Sequence, residues 1–291
     1  MESGTKGLLA LLAARLVPLR PLRIVDVGAN PIDTPVYADL AAAGLAEVWG
    51  FEPNPQAFAR LMADKPDHAQ FLPMAVGIPG RVVLNAYPAS EMSSVYKLSR
   101  RSTAYLGQFR RHIGTETEIP LRMHALDDID LLPAIDLLKV DAQGAERDVI
   151  AGGRDRLARA VAVVAEMRFY RLYDGEPMLH ELDAELRAQG FVLHRFLHQK
   201  ARMLPHSQGA RVNRKTLASQ LIDGDAVYIR SLEDKADWSD TQLKHLALLA
   251  SGIFGSHDLA LFCLDQLIQR KSIDAETAAD YVDLLPDKLR A

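Results

Sequence analysis

Between residues 22 and 230, short runs of β-forming residues alternate with segments of helical patterning. The runs are Leu22–Val27, Glu47–Phe51, Gln70–Pro73, Asp136–Val140, Val161–Met167, Phe191–Phe196 and Ala226–Arg230. This alternation constrains the fold more than any other feature. Strands connected through helices pair in parallel, and the helices then cover the sheet. An α/β class with a mostly parallel sheet is therefore expected. The 291 residues, 48% of them hydrophobic, suffice for one sizeable domain with an appendage.

Local signals refine this. "TPVYADLAAAGL" reads as a helix closed by Gly44, and "NPQAFARLMADK" as a helix capped by Asn54 and started by Pro55. "GRVVLNAY" and "TETEIPLRMHAL" read as two further strands, expected to be antiparallel. Between them, residues 88–114 are rich in Ser, Arg and Tyr. They suit a substrate-facing loop and a solvated, partly helical connection equally well.

From Leu232 onward the pattern is helical. One helix opens with Ser239 and Gln242 at capping-box spacing, a second with Ser256 as N-cap, and a third with Asp274 as cap. The division expected is an N-terminal helical segment (1–21), a main domain (22–231) and a helical appendage (232–291). The appendage suits packing on the main domain, dimerisation or a cover over an acceptor site, with plain packing the simplest.

The net charge of −4 offers no basic footprint for nucleic acid. The single cysteine, Cys263, excludes an internal disulfide and suits a reducing cytoplasm. The apolar stretch 7–14 is short for a membrane span and lacks the flanks of a signal peptide. An amphipathic helix is expected there, in a cytoplasmic protein with no membrane or nucleic-acid partner.

The chemistry concentrates in "RIVDVGANPIDTPVYADL". A buried strand ending at Asp26 and Gly28 brings a carboxylate and a sharp turn to the carboxyl edge of the sheet, where open α/β sheets bind ligands. Glu52 follows the second strand, 26 positions after Asp26, where an acidic residue accepts hydrogen bonds from both ribose hydroxyls. The pair reads adenosine. A dinucleotide needs further glycines so that a helix N-terminus can hold its pyrophosphate. Here Ala29, Asn30, Pro31, Ile32 and Asp33 follow Gly28. S-adenosylmethionine has no phosphate and carries a cationic sulfonium, so the missing glycines favour it over a nicotinamide cofactor. A third element, "IDLLKVDAQGAERDVIAGG", ends a strand at Asp141 and is followed by Gln143, Gly144 and Glu146.

"IVDVGAN", "GFEPNP", "PMAVG", "LDDI" and above all "DLLKVDAQGAERDVIAGG" resemble the FkbM-type S-adenosylmethionine-dependent methyltransferases, with similarity extending over roughly residues 20–230. The resemblance implies a Rossmann-like class I methyltransferase fold, with a seven-stranded, mostly parallel sheet and helices on both faces. It implies O-methylation of a hydroxyl on a small-molecule or glycan-type acceptor, and the helical tail resembles that of a bacterial subgroup. Carried over by position, Asp26, Gly28, Ala29 and Asn30 line the methionine end of the cofactor. Glu52 holds the ribose, with Pro53 and Asn54 beside the adenine. Ala75, Val76 and Gly77 sit against the adenine ring, and Asp141 and Gln143 reach the methionine amine or the acceptor. Residues Pro31 to Asp33 depart from the commoner family form, which has another glycine there.

In-line transfer to a hydroxyl needs alignment and benefits from a general base. Asp141 and Glu166 are the catalytic candidates, ahead of His124, and no metal is expected. Each has a structural alternative: Glu166 paired with Arg168, Asp141 capping the next helix, His124 hydrogen-bonded at a strand end. Arg100, Arg101, Arg110 and Arg111 suit a solvated face better than an anion clamp. His194 and His198 lack a third ligand at metal spacing. Against the methyltransferase reading stands a catalytically idle domain of this fold that serves as a binding or assembly module.

Overall fold

The computed structural model describes residues 3–17, 20–30 and 34–291, with side chains from Lys6 onward. The strands are β1 (Leu22–Val27), β2 (Ala46–Phe51), β3 (Ala69–Leu72), β4 (Ala75–Val76), β5 (Gly80–Ala86), β6 (Thr117–His124), β7 (Leu137–Val140), β8 (Ala162–Arg168), β9 (Phe191–Arg202) and β10 (Gln220–Arg230). Seven of them form one sheet, in the order β3–β2–β1–β7–β8–β10–β9. Pairing is parallel between β7 and β8, while β10 runs antiparallel to both β8 and β9. Starting from β1, the order reverses between β1 and β7, which opens a crevice at their carboxyl ends.

The central strands are apolar on both faces because both are covered. Ile24, Val25 and Val27 of β1 are buried, as are Leu137, Leu138 and Val140 of β7 and Ala162 to Ala165 of β8. Trp49, Phe51, Val149, Ile150, Leu182 and Leu186 join their core.

β9 and β10 run well past their expected ends. The added length is a hairpin ladder, continued with irregularities to the Arg202–Gln220 pair. Its members satisfy their backbone groups on each other, so polar residues such as His198 and Lys200 form strand without the apolar signal that marks a buried one.

The expected antiparallel pair is present as β5 and β6, in a separate three-stranded sheet in which β4 runs parallel to β6. The polar segment between β5 and β6 is a folded connection. Ser99 caps a short helix at Arg100–Leu106, and Tyr87, Met92, Leu98 and Leu106 pack with Leu172, Tyr173 and Ile222 into a second small core.

In chain order the helices are α1 (Ser3–Leu16), α2 (Ala38–Ala42), α3 (Pro55–Ala63), α4 (Arg100–Leu106), α5 (Glu146–Ala151), α6 (Arg154–Leu157), α7 (Leu179–Ala188), α8 (Asp240–Leu249), α9 (His257–Gln269) and α10 (Thr277–Asp283). Asn54 caps α3 as its sequence predicts, and Ser239 and Gln242 form the capping box of α8. Two cap expectations are corrected. Ser256 precedes α9, but its hydroxyl donates to Asp258 instead of accepting from the helix. Asp274 does not cap α10, which begins after Glu276; its carboxylate is drawn instead to Arg15 at 2.9 Å.

By internal contacts the chain divides into two units, one of Met1–Ile24, Thr34–Val48 and Ser231–Ala291, the other of Val25–Asp33 and Trp49–Arg230. Among the described residues no helix is long and apolar enough to cross a membrane.

Candidate active site

The first half of the site is built from the turn after β1. Gly28 has φ +85°, and its N–H and that of Ala29 both donate to the Phe51 carbonyl, at 3.0 and 3.1 Å. From the other side, Asp141 N–H donates to the Val27 carbonyl at 2.9 Å. A Cβ at Gly28 would strike the Asp141 carbonyl oxygen, so glycine is required for its conformation and for this close approach. Asp26 is buried beneath the turn and pairs with Lys139 of β7 at 3.2 Å. Lys139 also lies 3.9 Å from Asp141, and although burial alone would lower its pKa, Asp26 and Asp141 raise it. The lysine that interrupts an apolar strand is thus the counter-charge of the turn.

Glu52 follows β2, 6% exposed, and its Oε1 accepts from Asn54 N–H at 2.7 Å. Burial pushes its carboxyl up to about 7, helped by the charge of Asp26 and opposed by the Asn54 N–H. Asn54 is committed elsewhere, accepting from Gln56 and Ala57 N–H at the start of α3, and Pro53 beside it is half-buried. Ala29 is buried. Asn30 donates to Ser90 Oγ at 3.2 Å, while its own Oδ1 is buried with no hydrogen-bond partner among the described residues. Ala75 and Val76 form β4, and Gly77 donates to the His124 carbonyl, with Met123 filling the space that a side chain at Gly77 would need. Pro31 to Asp33 lie outside the described residues.

The second half lies at the ends of β7, β8 and β10. After Asp141 the chain turns through Gln143 (φ +50°) and Gly144 (φ +105°), two successive left-handed residues. Glu146 stabilises that turn, accepting from Ala142 N–H at 2.8 Å and Gly144 N–H at 3.0 Å. The helix-capping alternative for Asp141 is not taken up, since α5 starts after Ala145 with no side-chain cap.

Held in this unusual conformation, Gln143 joins the side chains around it. Its Nε2 donates to Asp141 Oδ1 and Glu166 Oε2, both at 2.9 Å, and its Oε1 accepts from Tyr173 at 3.0 Å and Arg168 at 3.3 Å. Arg168 is buried and pairs with Glu166 at 2.7 Å, Asp223 at 3.1 Å and Glu176 at 3.3 Å. Burial pulls the guanidinium pKa down, but Glu166 and Glu176 outweigh it and raise it. Burial also raises Glu166 well above the ordinary carboxylate range, Arg168 opposing and Asp141 and Glu146 adding to the effect.

Carboxylate oxygens of Asp141, Glu146 and Glu166 approach within 4.8 Å of one another, a spacing open to a cation. Those of Glu146 and Glu166 already accept from protein donors.

The structure therefore brings Asp26, Gly28 and Glu52 together, and Asp141, Gln143 and Glu166 together. His124 sits half-buried at the end of β6 in the other sheet. Arg100, Arg101, Arg110 and Arg111 are exposed, and His198 lies 3.7 Å from Asp225. Sequence reasoning missed Tyr173, Glu176, Asp223 and the turn role of Glu146. Ser94 donates its hydroxyl to the Gln143 carbonyl at 2.5 Å. Of the missed residues, only Glu146 had a usable signal, an acidic residue two positions after a Gly at a helix start. Arg168, foreseen as a partner of Glu166, stands two residues on along the same strand face.

The strand order, with its reversal between β1 and β7, is that of a Rossmann-like domain. Residues 26–193, more than half the chain, match the Methyltransferase FkbM domain family, and the chain belongs to that family. Over 162 residues it is 28% identical to the 2-O-methyltransferase NoeI of Sinorhizobium fredii; the match takes in 53% of this chain and 66%, just under two thirds, of that relative. Among solved structures, precorrin-6y C5,15-methyltransferase of Geobacter metallireducens aligns with a TM-score of 0.37 at 13% identity, covering 76% of this chain and 86% of that one. Magnesium protoporphyrin IX methyltransferase of Synechocystis aligns with a TM-score of 0.35 at 13% identity over 78% of each chain.

Proposed function

We propose that this protein is an S-adenosylmethionine-dependent methyltransferase that methylates a hydroxyl oxygen of a small-molecule or glycan-type acceptor. Family membership supports the class, and the observation that carries the reading is the state of Glu52. A carboxylate buried at the end of β2 with a raised pKa is short of donors. A ribose diol supplies two. The residues present fit the cofactor on a second count, since the orphaned Asn30 Oδ1 is a buried acceptor suited to an α-ammonium group. When bound, the cofactor supplies an electrophilic methyl group on a cationic sulfur.

The remaining work belongs to the chain. Glu52 holds the ribose, and the Gly28 turn, with no side chain, lets a ligand lie close to its backbone. The Asp26–Lys139 pair keeps the turn and β7 in register. Asp141 is the general base: its side chain is 36% exposed, and Gln143 orients it through Oδ1. Glu166, already bonded to Arg168 and Gln143, positions that amide. Pro53, Ala75, Val76 and Gly77 form the adenine side. The 2-O specificity in the name of the curated relative fits hydroxyl chemistry.

Calorimetry with S-adenosylmethionine, S-adenosylhomocysteine and NAD tests the reading. Both sulfur compounds are expected to bind and NAD not to bind. Failure of both to bind would overturn the proposal.

A further inference from the structure

The β9–β10 hairpin reaches past its pairing with β8 and there forms one wall of a cleft of about 400 Å³. That volume lies within the range of small-ligand sites, roughly 300–1,000 Å³. The opposite wall is the end of α4 and the turn after it, Leu106 to Gln108. Pro205 joins the two, seated on Gly107 so closely that a Cβ there would come within 3.1 Å of its ring.

Four basic side chains line the cleft, Arg202, His206, Arg214 and Lys215, and no carboxylate does. Among the described residues, Arg202, Arg214 and Lys215 take part in no ion pair. Arg202 rests over the Phe109 ring, its guanidinium carbon 5.9 Å from the ring centroid, and its Nε is buried with no hydrogen-bond partner among the described residues. Buried donors are ordinarily satisfied, and unpaired cations around an orphan donor are complementary to an oxyanion, which brings both charge and acceptors.

Its distance from the acidic strand ends follows from the ladder. Asp225 of β10 is opposite Glu166, and Gln220 of the same strand is opposite Arg202. Five residues of strand separate those two points, about 17 Å at roughly 3.3 Å per residue.

We propose that this cleft is an anion subsite for the methyl acceptor, taking a phosphate, sulfate or carboxylate group carried about 17 Å along the strand from the acidic end where the hydroxyl is methylated. The acceptor is then an extended anionic molecule, not a single neutral sugar. The inference rests on the methyl-transfer reading for the word acceptor. The anion site itself does not.

The test titrates the full chain with inorganic phosphate and sulfate, followed by amide NMR, with S-adenosylhomocysteine titrated in parallel. Saturable shifts confined to residues 106–109 and 202–218 are expected. The combined Arg202→Gln, Arg214→Gln and Lys215→Gln chain should bind at least about tenfold more weakly, charge-assisted contacts being the strong ones. Its affinity for S-adenosylhomocysteine should match that of the wild type, which also shows that it folds. The surface pair Arg214→Gln and Lys215→Gln alone should lose several-fold.

Absence of saturable shifts, or equal anion affinity in the combined variant, overturns the subsite. So does binding to phosphatidylglycerol vesicles that the variant abolishes while free anions shift nothing, which would assign the cleft to a membrane surface. If S-adenosylhomocysteine fails to bind even the wild type, the methyl-transfer reading falls while the anion result stands.

Discussion

Glu52, buried, and Glu166, half-buried, are carboxylates at the carboxyl edge of the same sheet, and they differ in what surrounds them. Glu52 has the Asn54 N–H on one oxygen, with Asp26 near enough to repel it. Glu166 has the Arg168 guanidinium and the Gln143 amide, and Arg168 in turn gathers Glu176 and Asp223. One side of the crevice leaves a charge wanting donors, while the other has its own, Arg168 from β8 and Gln143 from the turn after β7. A carboxylate short of partners is a place for a ligand. One inside a closed network is a frame that holds neighbouring groups still.

That contrast can be broken by experiment, most severely at the frame. Arg168→Met strands buried carboxylates without their cation and should cost about 3–5 kcal/mol, read from the urea midpoint. Arg168→Lys keeps the charge but loses the fork, and should fall between. An unchanged midpoint for the Met variant would mean that the network is not a frame. Gly28→Ala should cost about 1–3 kcal/mol from the left-handed backbone alone. The collision with the Asp141 carbonyl adds to that, and cofactor affinity should drop with it.

Glu52→Ala should behave in the opposite way to Arg168→Met. Loss of charge-assisted bonds worth about 1.5–3 kcal/mol weakens S-adenosylhomocysteine binding about 10- to 100-fold in calorimetry. Thermal stability without ligand is expected to hold or rise, because a strained charge has been removed.

The sign of the pH effect follows from the raised carboxyl. Without ligand, Glu52 prefers its proton, so its share of fold stability is full below its ordinary value of 4.5 and is lost as pH rises through about 7. Ribose donors favour the ionised form, so cofactor affinity should be full above about 7 and fall by up to about tenfold per pH unit below it. Glu52→Gln should flatten that profile. A wild-type affinity that does not change from pH 5 to 8 would remove Glu52 from the ribose site.

The smallest effect sharpens the frame. Tyr173→Phe deletes a hydroxyl whose single proton is shared between Gln143 Oε1 and the Met92 carbonyl, each 3.0 Å away, and should cost about 1 kcal/mol by denaturation.

How much of this was legible depended on the range of the interaction. Asn54 and Pro55 start α3 through contacts within three residues, and Ser239 with Gln242 does the same for α8, so both helices could be read directly. The cap expected at Asp274 failed because Arg15, 259 positions away, competes for the carboxylate. That Asp26, Gly28 and Glu52 lie together could be read because strand ends and a glycine turn mark themselves locally.

The sequence by itself determined the alternation of strands and helices, the apolar strands that must be buried on both faces, and the turn that only glycine can make. These follow from steric and hydrophobic rules acting over a few residues. Tertiary structure alone decided that Asp223 meets Arg168 across 55 positions, that Gln143 takes a left-handed turn, and that a polar hairpin closes a basic cleft. A buried charge chooses its partner by distance in space and by loss of water, and neither is written in the spacing along the chain.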